Sequence, residues 1–262
     1  MNSIDFSIVI PFKSGGKYAC NCFASILTAF QEIHFSVIVV LDNPSDSEMK
    51  LLQVAIDKFT DLLPLKIAIS PGSGISDALN HGIGISGADY IVRHDIDDLC
   101  FKWRGKRLIE MTKSYPDFIF GSVVCFPLPI YLKVPSSKEE AISVARNQNP
   151  FFHPASCFRR AAIIEIGGYK TAYNRLEDYE LWVRVLESCL KLKFDFKPHT
   201  KYRKHALQFS RQVKGLVVDD KRELLKNRVR KLSSENKNVK SPKKNISLGL
   251  YYFMLELLSS FK

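Results

Sequence analysis

The chain has 262 residues, of which 46% are hydrophobic and 25% are charged, a composition typical of a folded globular protein with one sizeable domain. The formal net charge of +11 originates between residues 201 and 244, where 15 Lys and Arg stand against four Asp and Glu. Since the remainder is neutral, the charge does not indicate a nucleic-acid-binding domain, and six scattered cysteines without paired CxxC elements argue against a zinc site.

Short apolar, β-branched runs alternate with helical stretches over the first 126 residues. Because continuous apolar strands separated by helices indicate a parallel sheet covered on both faces, the pattern predicts a Rossmann-like, doubly wound α/β fold. Ligands bind such sheets beyond the carboxyl ends of the strands, which is where Asp42 and Asp95 fall. The strands are predicted at 6–12, 35–42, 65–70, 89–95 and 117–126, and the helices at 20–33, 46–60, 75–85 and 102–114.

The pattern becomes irregular after residue 126. A proline-rich segment leads to a short helix that Gly167 and Gly168 are expected to end. An amphipathic helix then opens at Glu177 and Asp178, acids that suit the positive end of a helix. The remaining predictions are an edge strand before residue 206, a basic helix at 207–231, a polar linker at 232–245 and an apolar end at 246–262.

The segment RHDIDD, residues 93–98, places three carboxylates within four residues where the fourth strand ends. Carboxylates this close repel one another unless they are hydrated in a loop or a positive group lies between them. A D-x-D at a strand end suits a divalent cation that carries a bound diphosphate, since Mg²⁺ and Mn²⁺ prefer oxygen ligands. Taken alone, the motif is weak.

Further motifs occur in a fixed order along the chain: SIVIPF, VVLDNPSD, DALNHGI, WRGKRL, NPFFHPASCFRR followed by IGGY, LEDYELWVRV and YRKHALQFS. Together with RHDIDD they resemble the inverting nucleotide-sugar glycosyltransferases of family 2, which have the GT-A fold, from about residue 5 to about residue 210. The resemblance implies transfer of a sugar from a nucleoside-diphosphate sugar to a hydroxyl of a glycan or lipid-linked acceptor. Many relatives of this kind build bacterial surface polysaccharides.

On the donor side, the resemblance implies that Asp42 binds the base, which favours a UDP-sugar. The family usually has another Asp where this chain has Leu41. Asp97 is expected to bind Mn²⁺ or Mg²⁺ directly, with Asp95 beside it and His205 completing the metal site. The residues expected around the nucleotide are Pro11, Phe12, Asp42, Asn80, Arg93 and Asp95.

On the acceptor side, Asp178 matches the catalytic base, which takes the proton of the attacking hydroxyl while the anomeric configuration inverts. Glu177, Trp182 and His153 are expected to shape the sugar or acceptor site. Structural alternatives remain open: Asp178 would also suit its helix N-terminus, Trp182 and His153 would suit the core, and His205 would suit a basic surface.

Two other functions compete with this interpretation. A GT-A-like sugar nucleotidyltransferase would carry a glycine-rich, basic loop after the first strand, and PFKSGGKYAC is a poor version of it. A non-catalytic nucleic-acid-binding protein would explain the basic segment but not a neutral domain with acids at its strand ends, so no nucleic-acid partner is expected.

The predicted organisation is a GT-A domain at 1–210, with a nucleotide-binding half at 1–126 and an acceptor half at 127–210, followed by a basic helical extension at 211–262. The extension is expected to contact a membrane surface, to pack on the domain or to pair with a second subunit. Because no signal peptide and no run of about 18 apolar residues is present, we predict a cytoplasmic protein, peripheral on the plasma membrane.

Overall fold

The computed structural model describes residues 5–205, 216–232 and 244–258. In this part of the chain, a ten-stranded mixed sheet forms the centre and helices lie against it. The strands and helices of the first half follow the predicted pattern closely.

The first half builds the parallel part of the sheet, with strand order β3-β2-β1-β4. Helix α2 begins where the Ser45 hydroxyl accepts a hydrogen bond from the backbone N–H of Glu48 at 3.4 Å. The carboxyl ends of β1, β2 and β4 therefore lie along one edge, as predicted. The elements are β1 (Phe6–Phe12), α1 (Ala19–Ala29), β2 (Phe35–Leu41), α2 (Asp46–Phe59), β3 (Leu65–Ile69), α3 (Ile75–Ile85) and β4 (Tyr90–Arg93).

Residues 99–203 extend the sheet with both antiparallel and parallel pairs. The elements of this part are β5 (Leu99–Cys100), α4 (Arg104–Thr112), β6 (Phe118–Phe126), β7 (Tyr131–Leu132), α5 (Lys138–Ala145), β8 (Ser156–Arg159), α6 (Arg160–Glu165), α7 (Glu177–Glu187) and β9 (Leu192–Arg203). Strand β8 comes from the irregular region, lies between β4 and β6, and runs antiparallel to both. Strand β9 pairs in parallel with β6 and antiparallel with β5. Gly167 and Gly168 follow α6 with φ of 87° and 59°, so the predicted helix end is confirmed.

The sheet divides the apolar interior into two layers. Alternation along β1 sends Val9 to one face and Ile8 and Ile10 to the other. The Val9 layer contains Trp182 and, from β6, Phe118 and Phe120, and the other layer contains Phe23 of α1. Both faces of β1 are thus buried, which is why its sequence is continuously apolar.

The C-terminal part comprises α8 (Leu216–Leu232), β10 (Lys244–Asn245) and α9 (Ile246–Leu258). Helix α8 buries Leu225 and Val229 in the layer that contains Trp182. The predicted basic helix therefore exists from Leu216, and its expected start at 207 lies outside the described residues, as does most of the predicted linker. Strand β10 pairs with β7, which shows that the chain folds back onto the sheet.

Helix α9 rests on the sheet through aromatic contacts. The ring of Phe253 lies 6.2 Å from Phe101, and the ring of Tyr252 lies 5.5 Å from Tyr131. Glu256 adds an ion pair with Lys201 of β9. Of the three alternatives for this segment, the structure shows the one in which the helix packs on the domain, while one side of α9 stays exposed. Among the described residues, no helix is long and apolar enough to cross a bilayer.

Candidate active site

An acidic turn follows β4 at the edge of the sheet. Carboxylate oxygens of Asp95, Asp97 and Asp98 all lie within 4.8 Å of one another. Asp98 is fully buried, and its Oδ2 has no hydrogen-bond partner among the described residues. Burial and the two neighbouring acids raise the pKa of Asp98 well above its usual range. Such a cluster of oxygen donors fits a hard divalent cation, and its mutual repulsion would be relieved by one.

His205 reaches the acidic turn from the far end of β9. Its Nε2 lies 2.8 Å from Oδ2 of Asp97, and both side chains are about one-fifth exposed. The structure thus brings Asp95 and Asp97 together with His205, which follows Asp95 by 110 positions in the chain. An imidazole nitrogen beside carboxylate oxygens is a donor set that Mn²⁺ and Mg²⁺ sites can use, so the residues present fit the predicted metal.

Buried Arg93 pairs with the acidic turn and acts electrostatically on the acids at the start of α7. Its side chain is 2% exposed, and Nη1 lies 2.5 Å from Oδ1 of Asp95 in an ion pair. Burial raises the pKa of Asp95, Glu177 and Asp178, and the charge of Arg93 partly offsets this effect for each of the three. The charge of one guanidinium therefore favours the ionised forms of both groups of acids, those of the turn and those of α7.

Glu177 and Asp178 open α7, whose first-turn N–H groups favour negative charge. Oδ2 of Asp178 accepts a hydrogen bond from Nδ2 of Asn149 at 2.6 Å, and Oδ1 accepts one from the backbone N–H of Tyr179 at 2.6 Å. Burial raises the pKa of Asp178 despite these two bonds. Burial and the adjacent Asp178 raise the pKa of Glu177 to about 8, so Glu177 is mostly protonated at neutral pH.

His153 and Trp182 are both buried. Nε2 of His153 is 2.8 Å from the hydroxyl of Tyr169, and burial together with Arg93 lowers the pKa of His153 well below its usual range. The imidazole is therefore neutral. Trp182 is completely buried and packs edge-on against His153, with ring centroids 5.9 Å apart. Its burial means that Trp182 supports the site through His153 and has no surface of its own for an acceptor.

Asn80 uses its side-chain amide inside the protein. Its Nδ2 donates to the carbonyl of Tyr169 at 2.8 Å, and its Oδ1 accepts from the N–H of Tyr169 at 2.8 Å. These bonds join α3 to the IGGY segment that precedes α7. In this structure Asn80 therefore holds Tyr169, so any contact of Asn80 with a nucleotide would come in addition to these bonds.

Pro11, Phe12 and Asp42 lie at the carboxyl ends of β1 and β2. The ring of Phe12 is buried in the core, while its carbonyl accepts the N–H of Asp42 at 2.8 Å. Oδ1 of Asp42 accepts the N–H of Gly74 at 2.9 Å. The backbone thus fixes the Asp42 carboxylate at the strand edge predicted for the nucleotide.

No site role was predicted for Asn149 or Tyr169, although Asn149 opens the NPFFHPASCFRR motif and Tyr169 ends the IGGY motif. Both motifs were usable signals that these residues lie near the site. The contact of Asn149 with Asp178 was not predictable, because it depends on the position of α7.

A sequence model described as Glycosyl transferase family 2 matches residues 7–193. An uncharacterized glycosyltransferase from Haemophilus influenzae is 26% identical over 191 residues, which cover 69% of each chain. The UDP-Gal:alpha-D-GlcNAc-diphosphoundecaprenol beta-1,3-galactosyltransferase of Escherichia coli is 32% identical over 57% of this chain and 56% of its own. The amylovoran biosynthesis glycosyltransferase AmsE of Erwinia amylovora is 28% identical over 57% of each chain, so this chain spans little more than half of those two relatives.

Among solved structures, S. aureus TarS 1-349 in complex with UDP-GlcNAc superposes with a TM-score of 0.65 at 15% identity, covering 81% of this chain and 62% of that chain. At this identity the likeness shows the fold alone. The predicted fold class, an α/β GT-A architecture with a helical C-terminal part, is confirmed, and so is the predicted family resemblance.

Proposed function

This chain belongs to glycosyl transferase family 2, and we propose that it is a metal-dependent, inverting enzyme that moves a sugar from a UDP-sugar to a hydroxyl of a glycan or lipid-linked acceptor in surface-polysaccharide biosynthesis. The observation that carries the proposal is the convergence of the carboxylates of Asp95, Asp97 and Asp98 with His205 at the carboxyl edge of the sheet, where buried Arg93 pairs with Asp95. The predicted enzyme class, a glycosyltransferase, agrees with the family and with the names of the relatives. Family membership also favours glycosyl transfer over the nucleotidyltransferase alternative.

On the donor side, Asp97, Asp95 and His205 would hold Mn²⁺ or Mg²⁺. When bound, the cation would supply positive charge beside the phosphates of the donor. Asp42 would hold the base at the end of β2, while Pro11 and Phe12 form the neighbouring strand end. Arg93 would stay buried beneath this region, where its charge stabilises the acids of the turn and of α7.

On the acceptor side, Asp178 would take the proton of the attacking hydroxyl. Its raised pKa makes it a stronger base than an ordinary aspartate, and Asn149 holds one of its oxygens in place. General-base catalysis of this kind contributes roughly 10²- to 10⁴-fold. Protonated Glu177 can donate a hydrogen bond, whereas neutral His153 orients Tyr169, so these two residues would shape the surroundings of the acceptor.

The donor-site assignment is tested by calorimetry of UDP binding in the presence and absence of Mn²⁺. We expect Asp97→Asn to abolish the increase in UDP affinity that Mn²⁺ gives to the unaltered protein, because a metal oxygen ligand is lost. Asp61→Asn, at the connection between α2 and β3 on the opposite edge of the sheet, serves as the matched control. If Asp97→Asn keeps the full Mn²⁺ effect, the acidic turn is not the metal site.

The base assignment is tested by slow donor hydrolysis, in which water replaces the acceptor. A panel of UDP-sugars first identifies the donor by thermal shift with Mn²⁺. Asp178→Asn is then expected to lower UDP release by roughly 10²- to 10⁴-fold while UDP affinity is unchanged. Release at the rate of the unaltered enzyme would show that another group is the base.

The C-terminal part supports a second element of the proposal, contact with the cytoplasmic face of an anionic membrane. Leu250, Tyr251 and Met254 lie exposed on α9, and the charge of +11 is concentrated in residues 201–244. Basic residues contribute about 1 kcal/mol each near anionic headgroups, and exposed apolar side chains can enter the interface. Replacement of these three residues by serine should reduce co-sedimentation with phosphatidylglycerol vesicles, with phosphatidylcholine vesicles as the control. Unchanged co-sedimentation would contradict membrane contact through α9.

We also propose the domain organisation predicted above: a catalytic domain at 1–210 with nucleotide-binding and acceptor halves that meet at about residue 126, followed by the extension at 211–262. Leu225 and Val229 are buried and Tyr252 is partly buried against the rest of the chain, which supports a single folded body that includes the described parts of the extension. Truncation after residue 210 is therefore expected to lower the melting temperature.

A further inference from the structure

Arg203, the last residue of β9, makes contacts with three separate segments of the site. Its backbone N–H donates to Oδ1 of Asp98 at 2.8 Å, and its Nε donates to the carbonyl of Asp97 at 2.7 Å. Arg203 thus forms hydrogen bonds with two neighbouring residues of the acidic turn. Arg203 belongs to the YRKHALQFS motif, in which a site role was predicted only for His205.

The guanidinium of Arg203 lies between two aromatic rings. Its Cζ is 4.3 Å from the ring centroid of Tyr18, in the β1–α1 connection, and 4.4 Å from that of Phe126, at the end of β6. A planar guanidinium stacks favourably on aromatic faces, and the stacked geometry restricts its rotation. The side chain is therefore held in the orientation that points Nε at the acidic turn.

The position of His205 depends on the same anchor. His205 follows Arg203 by two residues, and the backbone N–H of the intervening Lys204 donates to the carbonyl of Phe126 at 2.8 Å. The ring of His205 lies 5.6 Å from that of Tyr18, the ring that also contacts Arg203. Because only Lys204 separates His205 from Arg203, fixing Arg203 restricts the backbone conformations open to His205. This restriction favours the position in which Nε2 of His205 contacts Asp97.

We propose that Arg203 is a positioning residue that couples the acidic turn to His205, so that oxygen and nitrogen donors converge on one cation. The inference rests on the proposed function, because it concerns the same cation site. In this proposal Arg203 acts through Asp97, Asp98 and His205. Positioning of ligands by neighbouring residues of this kind typically changes metal affinity by roughly 10- to 100-fold.

The sign of the effect separates positioning from simple electrostatics. A positive charge beside a cation site repels the cation, so removal of a charge that did nothing else would tighten Mn²⁺ binding. Removal of a positioning residue would weaken it. Arg203→Ala is therefore expected to lower Mn²⁺ affinity by roughly 10-fold, as measured by electron paramagnetic resonance of free Mn²⁺ without nucleotide. Lys204→Ala is the matched control, since its Nζ lies over Tyr202, 4.4 Å from the ring centroid.

A double-mutant cycle tests whether the effect passes through His205. We expect His205→Ala to weaken Mn²⁺ binding, and the effect of Arg203→Ala to be smaller in that background than in the unaltered protein. Arg203→Lys keeps the charge but not the planar fork, and is expected to bind Mn²⁺ more weakly than the unaltered protein. This variant also serves if the alanine variant fails to fold.

Three outcomes would overturn the inference: tighter Mn²⁺ binding by Arg203→Ala, unaltered affinity in Arg203→Lys, or an undiminished effect of Arg203→Ala in the His205→Ala background. A loss of UDP affinity without metal, with Mn²⁺ affinity unchanged, would identify Arg203 as a phosphate ligand and would also overturn it. Failure of the proposed function is distinguishable, because Asp97→Asn would then leave Mn²⁺ binding unaltered.

Discussion

Glu177 offers a measurable consequence of the crowded acids at the start of α7. The side chain is 7% exposed, and its Oε2 has no hydrogen-bond partner among the described residues. Burial and the adjacent Asp178 raise its pKa from an ordinary 4.5 to about 8. Between these two values the unfolded chain loses a proton that the folded protein keeps. The free energy of unfolding should therefore fall as the pH rises through this window.

The size of this effect follows from the two pKa values. At about 1.36 kcal/mol per pKa unit, a pKa of about 8 in place of 4.5 sets an upper limit of ~5 kcal/mol. Glu177 and Asp178 interact closely, so the raised pKa belongs to the pair and not to Glu177 alone. We therefore expect a smaller contribution to the free energy of unfolding, roughly 2–3 kcal/mol. Glu177→Gln has the same shape and no ionisable proton, so the variant should lose this part of the pH dependence.

The assay is urea unfolding followed by circular dichroism between pH 5 and pH 8.5. The two proteins should have similar free energies of unfolding at pH 5, and the variant should be more stable by roughly 2–3 kcal/mol at pH 8.5. Glu165→Gln, an exposed glutamate at the end of α6, should keep the pH dependence of the unaltered protein. Parallel curves for Glu177→Gln and the unaltered protein would refute the reasoning, as would a variant that is less stable at pH 8.5.

Three further perturbations follow from the same geometry. Asn149→Ala removes a hydrogen bond that lowers the pKa of Asp178. The acid limb of the pH–rate profile for donor hydrolysis should therefore move to higher pH. An acid limb at the same pH as in the unaltered enzyme would argue against Asp178 as the base. Trp182→Ala leaves a cavity in the core and should cost roughly 3–5 kcal/mol in urea unfolding, whereas a loss below about 1 kcal/mol would contradict its complete burial. In Gly168→Ala, the added Cβ would lie 2.6 Å from Oδ1 of Asn80, at a φ of 59° that side chains other than glycine rarely adopt. The melting temperature should therefore fall by several degrees. An unchanged melting temperature would show that Asn80 and α3 can shift at no cost in stability.

The candidate site was predictable from sequence where it depends on strand ends. The apolar run before Asp95 identifies β4, and parallel strand order alone places Asp42 and Asp95 on one edge of the sheet. The acids at the start of α7 were predictable from helix periodicity. Their assignment to chemistry came from the order of motifs along the chain, which the family match supports.

Other parts of the site could not be read from the sequence. The contact of Asn149 with Asp178 and the anchoring of Arg203 join segments that are 29 and 105 or more positions apart, and neither depends on a local pattern. The neutral state of His153 and the raised pKa of Glu177 likewise depend on desolvation, which exists only after the chain has folded.

The amino-acid sequence by itself determined the helices and strands of the first half and the edge at which its polar groups gather, because period and apolar content act over a few residues. Only the tertiary structure decided that β8 enters between β4 and β6, that α9 returns to the sheet, and that Arg93 is buried in an ion pair with Asp95. Those arrangements depend on burial and long-range charge, which are properties of the assembled chain and not of any segment within it.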